Sequence, residues 1–124
     1  MTDEIRNVLV KLIAKVPGLY SIILTDRDGV PVLSVNTEEV PEHIMKPCFI
    51  STFGLAVDQG SKLGLGKTKT LICSYSQYQI VQMNKLPLII TFVASDNCNT
   101  GHILSLESEL EPISMKLGPI VADM

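Results

Sequence analysis

KTLICSYSQYQIVQMNKLPLIITFVA, running from Lys69 to Ala94, is the stretch on which the fold turns. Its β-branched and apolar residues fall into three short runs separated by turn residues, which predicts three consecutive strands. Lys69 to Tyr75 is the first. Gln77 to Met83 is the second, with polar Gln77, Gln79 and Gln82 set among Tyr78, Ile80 and Val81. Leu86 to Ala94 is the third. It is almost wholly apolar, so it should be buried on both faces at the centre of a sheet.

Upstream, a hairpin supplies two more strands. Tyr20 to Thr25 is apolar and β-branched, Asp26-Arg27-Asp28-Gly29 is a turn with glycine available for positive φ, and Val30 to Val35 returns. Pro31 cannot donate to a ladder, so this return strand belongs at a sheet edge. Pairing the central strand with Tyr20–Thr25 gives the strand order 2-1-5-4-3. The opposite edge, Lys69–Tyr75, carries no such protection. An uncovered edge bearing Leu71, Ile72 and Cys73 would be an aggregation hazard, so it should be covered or paired. Thr70, Leu71, Ile72, Cys73, Ser74 and Tyr75 are therefore candidate partner-binding residues.

Three helices complete the pattern. Ile5, Val8, Leu9, Leu12, Ile13 and Val16 recur at three- and four-residue steps. Thr2 can cap that helix and Pro17-Gly18 stops it. A second helix is expected from about Lys46 to Leu63, ended by Gly64 and Gly66. The last is expected from about His102 to Leu117, with Ile103, Leu106, Leu110, Ile113 and Leu117 on its apolar stripe. Pro112 lies off that stripe and should bend the helix outward, and Gly118-Pro119 should end it. The order α-β-β-α-β-β-β-α predicts an α/β (α+β) fold. One five-stranded antiparallel sheet should carry one helix on one face and two on the other, in a single domain of 124 residues.

The second helix has a wider apolar arc than one sheet needs. On a 100° wheel, Phe49 to Gly64 places Leu63, Ala56, Phe49, Gly60, Phe53, Gly64, Val57, Ile50, Ser61 and Gly54 over roughly half the circumference, against the ~100° of an ordinary core-facing stripe. Phe49, Phe53 and Leu63 should dock on the chain's own sheet. Gly54 and Ser61, beside Ile50 and Val57, lie at the other side of the arc. Interior glycines weaken a helix by about 1 kcal/mol each, and small residues let another helix approach closely. Ile50, Gly54, Val57 and Ser61 thus join the edge strand as candidate partner-binding positions; a large side chain of the same domain seated on the glycines is the other account of them.

Composition narrows the partners. Hydrophobic residues make up 46%, charged residues 19%, and the formal net charge is −3. That balance speaks against nucleic acid, and no basic amphipathic stripe addresses a membrane. The polar start lacks a secretion signal, and Thr2 after Met1 leaves no myristoylation site. Cys48, Cys73 and Cys98 have no ligand spacing among themselves or with His43 and His102. They are expected to be reduced, inert thiols, with no metal and no cofactor.

Catalytic motifs fail on context. SKLGLGKT, residues 61–68, resembles a phosphate-binding loop with Ser61 in place of the first glycine. Such a loop follows a strand and opens a helix, whereas here a helix closes and a strand opens, so carbonyls rather than amides would face the anion. Glu107, Glu109 and Glu111 are expected on a solvated helix face rather than in a pocket. No catalytic residue is assigned.

The residues also carry a resemblance. The element order, Thr25-Asp26-Arg27-Asp28-Gly29-Val30-Pro31-Val32, Pro41-Glu42-His43, Ser51-Thr52-Phe53, the run Asp58 to Leu65, Tyr78-Gln79, Leu86-Pro87-Leu88 and Asn99-Thr100-Gly101 resemble the roadblock family of dynein light chains and small-GTPase regulators. Within it they resemble the MEK-partner scaffold subunits of the Ragulator complex. This resemblance implies a non-catalytic scaffold that forms a heterodimer with a second roadblock-type subunit through a sheet continuous across both chains. It implies other Ragulator subunits, MAP kinase kinase and MAP kinase, and Rag GTPases as partners at late endosomes and lysosomes, with membrane attachment only through a lipidated partner. A homodimeric motor-cargo adaptor is the alternative within the same fold, and a nucleotide-binding regulator using Lys67 and Thr68 ranks behind it.

Overall fold

A computed structural model describes residues 2–26, 30–37, 59–60, 62–66, 69–85 and 88–122. Helix α1 (Thr2–Lys15) leads into strands β1 (Leu19–Thr25) and β2 (Pro31–Asn36). Strands β3 (Thr70–Ser74), β4 (Tyr78–Lys85) and β5 (Leu88–Ser95) follow, and helices α2 (Thr100–Ser105) and α3 (Glu107–Ala122) close the chain. The sheet is antiparallel throughout, in the order β2-β1-β5-β4-β3. The expected topology is thus observed. Gly18, at φ 89°, turns the chain from α1 into β1, and a Cβ there would press to 3.2 Å from that of Cys98.

Periodicity places the main core on one face of the sheet. Ile5, Leu9, Leu12 and Val16 of the α1 stripe, and Ile103, Leu106, Leu110, Ile113 and Leu117 of the C-terminal helices, meet Ile22, Leu24, Leu33, Val81, Met83, Ile90 and Phe92 in one cluster. These strand positions are two apart because successive side chains point to opposite faces. The other face buries Ile23, Ile80 and Val93, with Cys73 and Tyr78 packed against them. The segment expected to cover it, the helix from Lys46, lies outside the described residues apart from its end at Gln59 and Gly60.

The β4 glutamines are buried on opposite faces rather than alternating into solvent. Gln82 Nε2 donates to Thr91 Oγ1 at 3.2 Å on the second face. Gln79, on the helix-covered face, donates from Nε2 to the carbonyls of Ser95 (3.0 Å) and Cys98 (2.7 Å), and its Oε1 accepts from Thr100 Oγ1 at 2.5 Å. One side chain therefore ties the β5–α2 loop and the start of α2 to the sheet.

Three expectations are corrected. The last helix is two helices: the break falls at Leu106, and α3 runs through Pro112 uninterrupted. Leu106 remains buried, so the apolar stripe crosses the break unchanged and gives no sign of it. Gly118-Pro119 does not end α3, which continues to Ala122. Proline removes one backbone bond, and burial of Leu117 and Gly118 holds the following turn. Leu63 does not dock on the sheet; it is 71% exposed. Bonds from Lys62 N to Gln59 O and from Leu63 N to Gly60 O, both 3.2 Å, tighten the chain into three-residue turns before Leu63, which leaves the helical phase.

Candidate protein-binding site

The ladder between β3 and β4 determines what β3 offers to solvent. Tyr75 N donates to Tyr78 O at 2.7 Å, and Asn84 N donates to Lys69 O at 2.8 Å. In the observed register these are hydrogen-bonded pairs, and such pairs alternate along antiparallel strands. Cys73 with Ile80 and Leu71 with Gln82 are then also bonded pairs. The N–H and C=O groups of Thr70, Ile72 and Ser74 consequently point away from β4, and no described residue bonds them. Ile72 sits opposite Val81 at the margin of the helix-covered face and is 46% exposed, and Tyr75 beyond it is 54% exposed.

The other edge is closed by two devices. Thr37 N donates to Tyr20 O at 2.8 Å, so by the same alternation Ser34 faces its backbone outward. Arg6, from the exposed side of α1, donates from Nη1 to that Ser34 carbonyl at 3.1 Å. Near the strand's start, Asp26 N donates to Val30 O at 3.1 Å, which places the absent N–H of Pro31 on the outer side too. Pro31 was legible as an edge residue. Arg6 was not, because an exposed arginine on a helix gives no sign of a contact 28 residues away.

Of the ten candidate residues, Thr70, Leu71, Ile72, Cys73, Ser74 and Tyr75 are brought together on the open edge, in agreement with the strand's expected place. Ile50, Gly54, Val57 and Ser61 lie outside the described residues. The Ser61–Thr68 motif is described only over 62–66, where it forms a turn following a helix end, with Gly64 and Gly66 at φ 75° and 95°. This is the glycine-terminated helix end that was expected, oriented against phosphate binding.

The remaining polar residues serve packing. Lys85 Nζ meets Glu107 at 2.5 Å and Glu111 at 3.2 Å, and Lys15 Nζ meets Glu109 at 2.6 Å, so the acidic face of α3 is pinned to β4 and α1. The hydrogen bond that Lys85 donates to Glu107 raises the Lys85 pKa above its ordinary 10.5, against an opposing effect of burial. A raised folded-state value stabilises the chain fully below the unfolded pKa and ceases to do so as pH climbs through the folded one. Lys85→Met should thus lower stability by about 0.5–1 kcal/mol at neutral pH, as for a pair whose carboxylates remain in contact with water. Thermal melts should show that deficit shrinking only well above pH 10.

Cys73 and Cys98 are free, Cys73 half-buried and Cys98 buried. Burial pushes the Cys98 thiol pKa up. Reaction with iodoacetamide at pH 8, followed by peptide mapping, should label Cys73 at least tenfold faster than Cys98. Among the described residues no group of His, Cys, Asp and Glu could hold a metal, and no helix is long and apolar enough to cross a membrane.

This fold, a five-stranded antiparallel sheet with helices, is shared with solved structures. The roadblock/LC7 domain from Streptomyces avermitilis superposes with a TM-score of 0.67 at 12% identity, covering 89% of this chain and 97% of that one. MglB from Myxococcus xanthus gives 0.70 at 12% identity (98% and 97% covered), and MglB in a tetrameric arrangement gives 0.81 at 10% (97% and 91%). The fold is therefore of the roadblock class. A family model described as mitogen-activated protein kinase kinase 1 interacting matches residues 3–121, and the chain belongs to that family. It is similar to Ragulator complex protein LAMTOR3 of Danio rerio, 54% identical over 121 residues, and of Homo sapiens, 51% identical, each over 98% of both chains.

Proposed function

We propose that the chain is a non-catalytic scaffold subunit that pairs with a second roadblock-type protein through the β3 edge, with Ile50, Gly54, Val57 and Ser61, which the sequence pattern places on one arc, packing against the partner. The observation that carries this reading is the asymmetry of the sheet: Arg6 and Pro31 close the β2 edge, while Thr70, Ile72 and Ser74 present a row of backbone groups that no described residue bonds. Natural sheets seldom leave such a row uncovered. Membership in a family described as interacting with mitogen-activated protein kinase kinase 1, and similarity to Ragulator complex proteins, support the wider role. In that role the pair recruits MAP kinase kinase and MAP kinase to late endosomes or lysosomes and, with other Ragulator subunits, docks Rag GTPases for amino-acid signalling to the target-of-rapamycin kinase. A separate lipidated subunit then supplies the membrane contact.

Gly54→Trp tests the helical half of the interface. Light scattering should show wild-type chain in a one-to-one complex with its roadblock-type partner and the variant as a folded monomer. Normal pairing by the variant would remove Gly54 from the interface, and a complex of twice this chain's mass would favour the homodimeric adaptor.

A further inference from the structure

The turn over 62–66 has no part in the pairing just described, and its likeness to a phosphate loop does not survive its position after a helix. What it does have is apolar surface in water. Leu63 is 71% exposed and Leu65 is 85% exposed. The two bonds that close the helix end, together with left-handed Gly64 and Gly66, hold the backbone of this turn in place. A Cβ built on either glycine would meet nothing within 4 Å, so the glycines answer to backbone conformation and not to crowding, and the turn stands clear of the sheet. Leu63 and Leu65, separated by Gly64 and held outward on a fixed turn, forgo the stabilisation that burial would give them. Exposed apolar surface of this kind marks an interaction site.

The charge around the turn says what kind of surface fits it. Lys62 and Lys69 flank the leucines and are exposed. From Gln59 to Ser95 the sequence contains no Asp or Glu but does contain Lys62, Lys67, Lys69 and Lys85, in a chain whose net charge is −3. The acidic character is thus concentrated elsewhere, and the turn rises from a purely cationic stretch. A complementary surface has apolar pockets rimmed by carboxylates.

We propose that Leu63 and Leu65 form a docking knob that inserts into a carboxylate-rimmed apolar cleft on the kinase kinase client, with Lys62 and Lys69 meeting the rim. This rests on the scaffold reading above and assigns its client contact to a surface apart from the β3 edge.

The test uses the chain in complex with the roadblock-type subunit that co-purifies with it, titrated calorimetrically with purified mitogen-activated protein kinase kinase 1. Leu63→Ser/Leu65→Ser should weaken that binding at least tenfold while light scattering shows the roadblock pairing unchanged. Lys62→Glu should weaken it several-fold at low salt, with the gap closing as salt rises. Because all three side chains are exposed, the variants should melt as the wild type does. Wild-type affinity in the double leucine variant overturns the knob, and so does loss of roadblock pairing, which would place the leucines in that interface. Failure of the wild-type complex to bind the kinase kinase overturns the client role itself, a different outcome from a variant that binds normally.

Discussion

Ile72→Pro is expected to abolish pairing with the partner subunit while leaving the isolated chain folded. The ladder to β4 uses the amides of Leu71 and Cys73, so a proline at Ile72 removes no bond among the described residues. It removes the central donor of the outward row and puts a ring where a partner strand would lie. Proline is tolerated on edge strands when its missing donor faces solvent, as Pro31 shows on the opposite edge. Loss of one ladder bond with the clash of the ring amounts to about 3 kcal/mol, which weakens binding more than a hundredfold. Cys73→Pro makes the contrast. Its N–H faces Ile80, so that variant should damage the sheet itself and lower the melting temperature. Sedimentation for pairing and circular dichroism for folding separate the two. Ile72→Val, which keeps the donor and most of the side chain, should pair nearly as well as the wild type.

Gln79→Ala is expected to be among the most destabilising polar substitutions in the chain. It strands the Cys98 carbonyl and the Thr100 hydroxyl and takes from the Ser95 carbonyl one of its two donors, the other being Cys98 N at 3.0 Å. A group left without its partner away from water is destabilising by about 1–3 kcal/mol, and the two that lose theirs share one loop, so a total near 3 kcal/mol is expected. For a domain of this size that is roughly a 10 °C fall in the melting temperature. The damage should be local first. Amide exchange should accelerate at the start of α2 before it does in β1 or β5, because the Gln79 side chain is the tie between this loop and the sheet. Urea denaturation gives the magnitude, and a loss below 1 kcal/mol would mean that water replaces the three bonds without penalty.

These two residues show where the sequence was readable. The apolar run Leu86–Ala94 and the missing donor of Pro31 were enough to order the strands, because burial on both faces and edge position leave local signatures. The stripe of α1 gave its buried face for the same reason. Gln79 carries no such mark: a glutamine inside a strand looks like a solvent-facing residue until the loop that returns over it is known. Arg6 and Ser34 meet through the packing of α1 beside β2, which no spacing along the chain encodes. Leu63 misled the helical wheel because the wheel extends the 100° step past the point where bonds to Gln59 and Gly60 tighten the turn. At the C-terminus the local rules for glycine and proline favoured a stop at Leu117, and the packing of Leu117 and Gly118 carried the helix further.

Amide exchange at the β3 edge, followed by NMR in the free chain and in the stoichiometric complex, tests the pairing most directly. The N–H groups of Thr70, Ile72 and Ser74 should exchange fast in the free chain and become protected in the complex. Those of Leu71, Cys73 and Tyr75, already bonded to β4, should be protected in both. If Thr70, Ile72 and Ser74 still exchange fast once the complex has formed, the partner does not continue the sheet, and the interface lies elsewhere.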